Sequence, residues 1–301
     1  MNERLQHISV CICTYKRPQL LKHLLDELET QETDGLFTFS IVVVDNDQLR
    51  SSEQLVSDFA LASSLVVRYC VEPVQNISLA RNRAVQNATG NYIAFIDDDE
   101  FPVKRWLVTL FKACGKYHVD GVLGPVRYHF NETAPAWVVK GRFYERATYP
   151  TGFVIDWPKG RTGNVLLTRD VFEAGEQHFD PAFHRAGDQD FFRRMIEKGH
   201  VFVWCNEALA YEEVPPARWT RTFMLKRALL RGTISLQHPT SRLRSIAKSL
   251  VAVPAYAIAL PFTLLMGHHR FMSLLVRLFD HLGKLLAFVG LKPVKNQLIT
   301  D

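Results

Sequence analysis

Four carboxylates stand side by side at Asp97, Asp98, Asp99 and Glu100, directly after the apolar run Tyr92–Ile96. Adjacent carboxylates repel one another, and a cation at such a strand end relieves the repulsion. Oxygen ligands select hard cations such as Mg2+ or Mn2+. Mg2+ takes only one or two protein carboxylates and completes its shell with water and phosphate oxygens. The bland alternative is a solvated acidic turn. Asp45 closes a second apolar run, Ile41–Val44, with Asn46 and Asp47 behind it. Its carboxylate can accept hydrogen bonds from a ribose or a base, or serve the turn itself. Between Cys13 and Pro18 lie a hydroxyl, Thr14, a ring, Tyr15, and two cations, Lys16 and Arg17. Such a loop can stack a base and neutralise a diphosphate. Arg81 and Arg83 add cations nearby, and together these groups describe a pocket for a nucleoside diphosphate and a metal. Asp188 and Asp190 open a later helical stretch. Asp188 suits a helix first turn, where the dipole favours negative charge, and one of the two carboxylates can equally be a general base that takes a proton from an attacking hydroxyl.

These residues need a frame that brings strand ends to one edge. Runs rich in β-branched residues at Ile8–Thr14, Ser40–Asp45, Leu65–Val71, Tyr92–Asp97 and Gly121–Val126 alternate with helical spacing at Gln19–Thr30, Ser51–Ala62, Ser78–Ala88 and Lys104–Tyr117. Pro18 suits a first helical turn, and Ser51 or Ser78 can cap the later helices. The alternation predicts an α/β fold with a mostly parallel sheet covered by helices. In such sheets ligands bind beyond the carboxyl ends of the strands, where Cys13–Arg17, Asp45–Asp47 and Asp97–Glu100 fall. After Arg127 the pattern is irregular, with short strands at Asn164–Thr168 and Val201–Trp204 and helices at Asp188–Glu197 and Trp219–Arg231.

The chain has 301 residues, 47% hydrophobic and 22% charged, which excludes a disordered or fibrous protein. Its net charge of +5 is unevenly spread. From Pro215 onward there are 13 Lys/Arg and 2 Asp/Glu, so an acidic body precedes a basic end that wants an anionic surface. Five cysteines without metal-ligand spacing read as buried free thiols in a reducing compartment. No run of signal-peptide length opens the sequence, and export is not expected.

In order and spacing, the segments Cys13–Pro18, Val43–Asn46, Asn76–Asn82, Ala94–Glu100, Val122–Val126, Thr162–Leu167, Asp188–Phe192 and Glu213–Pro215 resemble the family 2 glycosyltransferases of the GT-A fold. The likeness covers roughly residues 7–232 and is strongest to the subgroup that builds bacterial exopolysaccharide repeat units, such as succinoglycan glucosyltransferases. The resemblance implies that Thr14, Tyr15, Arg17 and Arg81 hold the nucleotide and that Asp45 meets its base. It implies that Asp97 and Asp98 reach the ribose, and that Asp99 holds a divalent cation, Mg2+ or Mn2+, bridging the donor diphosphate. Asp188 would be the base of an inverting, single-displacement transfer, with Asp190 as the alternative, and Asn164 would lie near the donor sugar or the acceptor. The donor implied is a nucleotide sugar, a UDP-sugar first, and the acceptor a saccharide or lipid-linked saccharide. This chain departs from close relatives at Asn46, where many carry a second Asp. It departs again at Gly187, where they have Glu, and at Tyr211, where they have His. A catalytically silent nucleotide-sugar-binding or scaffold protein is therefore the competing reading. A dehydrogenase lacks its glycine-rich turn, and the basic residues accompany no nucleic-acid-binding motif.

Residues 1–235 thus read as a catalytic domain and 236–301 as a hydrophobic, basic helical appendage. Ser249–Gly267 is free of charge over 19 residues, about 28 Å as a helix at ~1.5 Å per residue. Basic residues flank it on both sides, which favours a kinked hairpin in one leaflet, at the cytoplasmic face of the inner membrane, over a true span or a buried helical hairpin packed on the main domain or a second subunit.

Overall fold

The computed structural model describes residues 5–130, 133–172, 178–183, 187–235, 242–291 and 294. Two units divide the packing: residues 1–128 with 146–213, and residues 129–145 with 214–301. The first unit is built on β1 (Gln6–Thr14), β2 (Phe37–Asp45), β3 (Val66–Val71), β4 (Tyr92–Ile96), β6 (Gly121–Leu123), β8 (Asn164–Thr168) and β9 (Phe202–Trp204). They form one sheet in the order β3-β2-β1-β4-β8-β6-β9. The pairs β1–β2, β2–β3, β1–β4 and β6–β9 are parallel, and β8 alone runs against its neighbours β4 and β6. A small second sheet joins β5 (Glu100–Pro102), β10 (Ala210–Glu213) and β7 (Val126–His129) in the order β5-β10-β7.

Both faces of the large sheet are buried, as a parallel sheet requires. Ile8, Val10 and Ile12 of β1 point into one layer, with Leu21, Leu24, Leu25 and Leu28 of α1 (Pro18–Glu29) and Trp106, Leu107 and Leu110 of α4 (Trp106–Tyr117). The four leucines recur at i, i+3, i+4 and i+7 and are fully buried, each contributing about 1.5–3 kcal/mol. Cys11, Val42, Ile93 and Phe95 face the opposite layer, with Ala80 and Ala84 of α3 (Ile77–Asn87) and Phe191 and Phe192 of α6 (Gly187–Glu197). Helix α2 (Glu53–Ala62) completes the covering elements near β3. The cysteines are free; Cys11, Cys114 and Cys205 are buried, and Cys13 and Cys70 partly so. Burial pushes the Cys13 thiol up to about 12.

Local expectations differ in detail. Helix α3 is capped by Asn76, whose side chain accepts the amides of Ser78 and Leu79, while Ser78 lies inside the helix. A cap must precede the first turn, and Asn76 does so with extended backbone. The run Gly121–Val126 divides between two sheets at Gly124-Pro125.

The second unit contains α5 (Ala136–Gly141), α7 (Arg221–Ser235), α8 (Arg242–Leu265) and α9 (His268–Phe288). Composition drew a boundary after residue 235, inside a stretch, 236–241, that lies outside the described residues; by packing, α7 groups with α8 and α9. The reason is backbone contact. A Cβ at Gly232 would lie 2.1 Å from the Asp280 carbonyl oxygen, and one at Gly283 would lie 2.2 Å from that of Leu229. Glycines let α7 and α9 meet at a distance no side chain allows. Polar groups in the middle of α9 are occupied by its neighbours: Asp280 pairs with Arg231 at 2.7 Å and Lys284 at 3.2 Å, and His281 Nδ1 meets Ser249 Oγ at 2.8 Å. Gly267, at φ +109°, makes the turn between α8 and α9. Helix α8 runs continuously through Pro254 and Pro261. It is the one helix among the described residues long and apolar enough to cross a membrane, with mean hydropathy 1.6 over its best window. Leu250, Val251, Ile258, Phe262 and Leu265 on it are exposed.

Candidate active site

Register sets the site. Thr14 pairs with Asp45 across β1 and β2, and Cys11 with Phe95 across β1 and β4, so these three strands end at one edge. There Thr14 Oγ1 donates to Asp98 at 2.8 Å, and Arg17 Nη1 donates to Asp98 at 3.2 Å and to Asp99 at 3.4 Å. Burial, then the charge of Asp99, pushes the Asp98 carboxyl up to about 7 against the opposing pull of Arg17 and Thr14. Asp97 is also raised, by burial first, with Arg81 opposing. Arg81 itself reaches from α3 and stacks over Phe179 at 5.7 Å. Tyr15 and Arg17 are partly exposed at the mouth, with Lys16 over the Tyr15 ring at 5.2 Å. Thr14, Tyr15, Arg17, Arg81 and Asp97–Asp99 therefore gather at one place, as the sequence suggested.

The carboxylates there outnumber the cations, and burial disfavours their charged forms. That imbalance suits a hard divalent cation held by one or two carboxylates and by phosphate oxygens. Among the described residues no group of three or more His, Cys, Asp or Glu is arranged to hold a metal ion by itself, so any cation there needs substrate or water oxygens as well. The residues thus fit a Mg2+ or Mn2+ site that substrate completes.

Asp45 is fully buried, and its carboxylate accepts from the Asp47 amide at 3.1 Å, the Ser52 amide at 2.8 Å and the Tyr69 hydroxyl at 2.9 Å. Of the two uses open to it in the sequence, the structure displays the turn. Asn46 explains its own departure from the family pattern. Its amide nitrogen donates to the Glu72 carbonyl at 2.8 Å and to that of Val74 at 2.7 Å, while its oxygen accepts from the Asn76 amide at 2.9 Å. An aspartate cannot make the two donations. Asn46→Asp is expected to destabilise the fold by ~1–3 kcal/mol, seen as a lower thermal midpoint.

Two of the expected site residues are held by other parts of the protein. Asn164 is buried with all its polar atoms occupied: it accepts from Trp106 Nε1 at 2.7 Å and donates to the carbonyls of Pro125 at 2.9 Å and Ala208 at 2.8 Å. It ties β8 to the neighbouring loops, its side-chain polar atoms bonded to protein while the residue borders a cleft beside Gly163. Asp190 is unsuited as a base. Arg193 and Arg194 each clamp it at 2.8 Å; burial alone would push its carboxyl up, but these bonds hold it below the ordinary range. Among the described residues, Asp188 accepts the Gln189 amide at 3.0 Å. Its charge bears on both Asp97 and Arg161.

The departures at 187 and 211 also have local accounts. A Cβ at Gly187 would lie 3.0 Å from Ser78 Oγ, so a larger side chain needs Ser78 to give way. Tyr211 stacks on Phe101 at 5.5 Å, and Glu212 is salt-bridged to Arg146.

Arg146 went unnoticed in the sequence. It reaches Glu212, stands 3.8 Å from the buried Glu100, and donates to the Tyr128 hydroxyl at 2.7 Å. Burial, then Asp97, raises Glu100 well above its ordinary value, with Arg146 opposing. Gly163 lies within the Thr162–Leu167 segment. A Cβ there would lie 2.8 Å from Glu100 Oε1 and 3.0 Å from Asp97 Oδ2, so its bare backbone is what admits the two carboxylates. An isolated Arg in an irregular stretch gives no periodic signal, whereas Thr162-Gly163-Asn164 could have been marked as a close approach.

The family model for glycosyl transferase family 2 matches residues 9–175. The succinoglycan biosynthesis protein ExoM of Rhizobium meliloti (strain 1021) is 32% identical over 310 residues, spanning 98% of this chain and 96% of that protein. The mannosyltransferase PcManGT from Pyrobaculum calidifontis, solved in complex with GDP-Man and Mn2+, superposes with a TM-score of 0.63 at 16% identity, covering 96% of this chain and 88% of that one. S. aureus TarS 1–349 in complex with UDP gives a TM-score of 0.55 at 15% identity over 94% of this chain and 92% of that chain. At such identities the two structures speak for a shared GT-A fold.

Proposed function

We propose, for a chain that belongs to glycosyl transferase family 2, that it moves a sugar from a nucleoside-diphosphate donor, a UDP-sugar, to a hydroxyl of a saccharide acceptor during exopolysaccharide assembly. The observation that carries this reading is the meeting of Asp97–Asp99 with Thr14, Arg17 and Arg81 at one sheet edge. Thr14 and Tyr15 line the nucleotide side, Asp97 and Asp98 receive the ribose hydroxyls, and Arg17 and Arg81 offset phosphate charge. Asp45 and Asn46 act by fixing the turn against which the base lies. Asp99 is the carboxylate placed for the divalent cation, which when bound neutralises charge on the leaving diphosphate. The acceptor hydroxyl oxygen attacks the anomeric carbon from the face opposite the diphosphate, and the carbon–oxygen bond to the diphosphate breaks. Asp188 takes the hydroxyl proton, and the sugar configuration inverts.

The donor reading has a direct test. A ligand that binds the folded state raises the melting temperature, so UDP with Mg2+ or Mn2+ is expected to stabilise the chain, by about 2.7 kcal/mol at a hundred times its dissociation constant. EDTA is expected to remove most of that gain. Stabilisation that ignores EDTA would refute the cation's role.

The second unit supports a membrane-surface reading. Helix α8 exposes an apolar face, with Arg242, Arg244 and Lys248 at one end and His269 and Arg270 beyond the other. Such a helix suits the cytoplasmic face of the inner membrane, where a lipid-linked acceptor would be met. Basic residues near an anionic surface contribute about 1 kcal/mol each. The chain is expected to float with vesicles containing phosphatidylglycerol and to bind zwitterionic vesicles less. High salt should weaken the former without abolishing it, because the apolar face remains. Equal binding to both vesicle types would rule out the electrostatic part.

A further inference from the structure

Gly163 has a second side. It also borders a cleft of about 570 Å3, counting the space open to solvent. Arg146, Lys159 and Arg161 line this cleft together with Tyr149 and Trp204, and none of its lining residues is acidic. Two of the three cations are already matched: Arg146 by Glu212 and Glu100, Lys159 by Asp156. Arg161 is exposed and has no carboxylate within ion-pair distance among the described residues. Crowding by protein atoms and then the like charge of Arg146 hold its guanidinium below the ordinary value, with Asp188 opposing. An excess positive charge therefore faces the cleft.

Other features point to a sugar. Trp204 lines the cleft, and its Nε1 is buried with no hydrogen-bond partner among the described residues. A buried donor left unmatched costs ~1–3 kcal/mol, which a ligand hydroxyl or water recovers. The Tyr149 ring stands perpendicular to Trp204 at 5.3 Å and stacks on Phe153 at 4.8 Å. Aromatic faces of this kind offer the apolar C–H side of a pyranose a large contact. The cleft and the carboxylate cluster share Gly163 and Arg146, which lines the cleft and stands 3.8 Å from Glu100.

We propose that this cleft is the acceptor subsite and that it takes a sugar bearing an anionic group, a carboxylate or a phosphate. Arg161 holds the anion, and Tyr149 and Trp204 hold the ring. The proposal rests on the glycosyltransferase reading, because it makes the donor occupy the far side of Gly163. It predicts that acceptor binding and nucleotide binding are separable.

Saturation-transfer NMR on the full chain tests this with methyl β-glucuronide, glucose 1-phosphate and methyl β-glucoside as probes. At least one of the two anionic sugars is expected to bind at least ten-fold more tightly than the neutral glucoside, and the one that does identifies the group. Saturating UDP with Mg2+ is expected to leave that signal in place. Arg161→Gln, at an exposed position, is expected to keep its circular dichroism and melting temperature and to weaken anionic-sugar binding at least ten-fold. Arg161→Lys should retain part of it. Displacement by UDP, equal binding of the glucoside, no anionic-sugar binding, or an unchanged Arg161→Gln each overturns the proposal. Failure of UDP to bind the unaltered chain would instead strike the donor reading, and is scored separately.

Discussion

Replacing Asp188 with Asn is expected to lower the transfer rate about 10²–10⁴-fold while donor-induced thermal stabilisation persists. The change keeps the side chain's shape and its acceptance of the Gln189 amide, and removes only the ability to take a proton. The split between rate and donor binding is the sharper measurement: the variant should lose turnover and keep its affinity for UDP. Asp190→Asn is the control. Two arginine bonds at 2.8 Å hold Asp190, so its loss should lower the melting temperature and leave the rate per folded molecule near that of the parent. If Asp190→Asn removes activity in folded protein while Asp188→Asn does not, the assignment of the base is reversed. Transfer unaffected by Asp188→Asn would remove this carboxylate from the mechanism.

The contrast between those two neighbours shows what spacing can carry. Both are acidic residues in the first turn of α6, and helix periodicity treats them alike. What separates them is which arginines return to the same turn, at i+3 and i+4 from Asp190. Spacing could have suggested both that pairing and its absence at Asp188, whose i+3 and i+4 positions are Phe191 and Phe192. The strand ends were easier. A parallel sheet sends successive carboxyl ends to one edge, so Thr14, Asp45 and Asp97 could be gathered from hydrophobic runs alone. Their side-chain directions could not. Asp45 turns inward to two amides and a hydroxyl, and Asn164 is buried beneath Trp106, because satisfying buried polar groups takes precedence over position at an edge. The irregular half offered least. Residues 129–145 have almost no periodic signal, and they fall in the unit with residues 214–301, which no local pattern reveals. The close glycine contacts of α7 and α9 are likewise visible only once both helices are in place.

Arg146→Met is expected to destabilise the chain by about 3–5 kcal/mol, because it leaves buried carboxylates without their cation. Methionine preserves much of the arginine's stem packing, so the loss reports charge more than volume. Glu100 has 1% side-chain exposure and Glu212 has 9%, so water cannot replace the guanidinium. The pH dependence has a definite sign. Glu100 already titrates above its unfolded value because of burial, with Arg146 opposing, and removing Arg146 raises it further. A carboxyl raised on folding binds more protons in the folded state between its unfolded and folded values, so its contribution to stability falls as pH rises through that interval. The variant should therefore recover part of its stability on acidification towards the ordinary glutamate range and lose it towards neutral pH, more steeply than the parent. Melting temperatures in EDTA across that range measure the difference. Adding Glu212→Gln to Arg146→Met should restore some of the loss, since one of the stranded charges is then gone. A double variant no more stable than Arg146→Met, with the same pH slope as the parent, would mean that Arg146 acts through packing and its bond to Tyr128 instead of through the carboxylates.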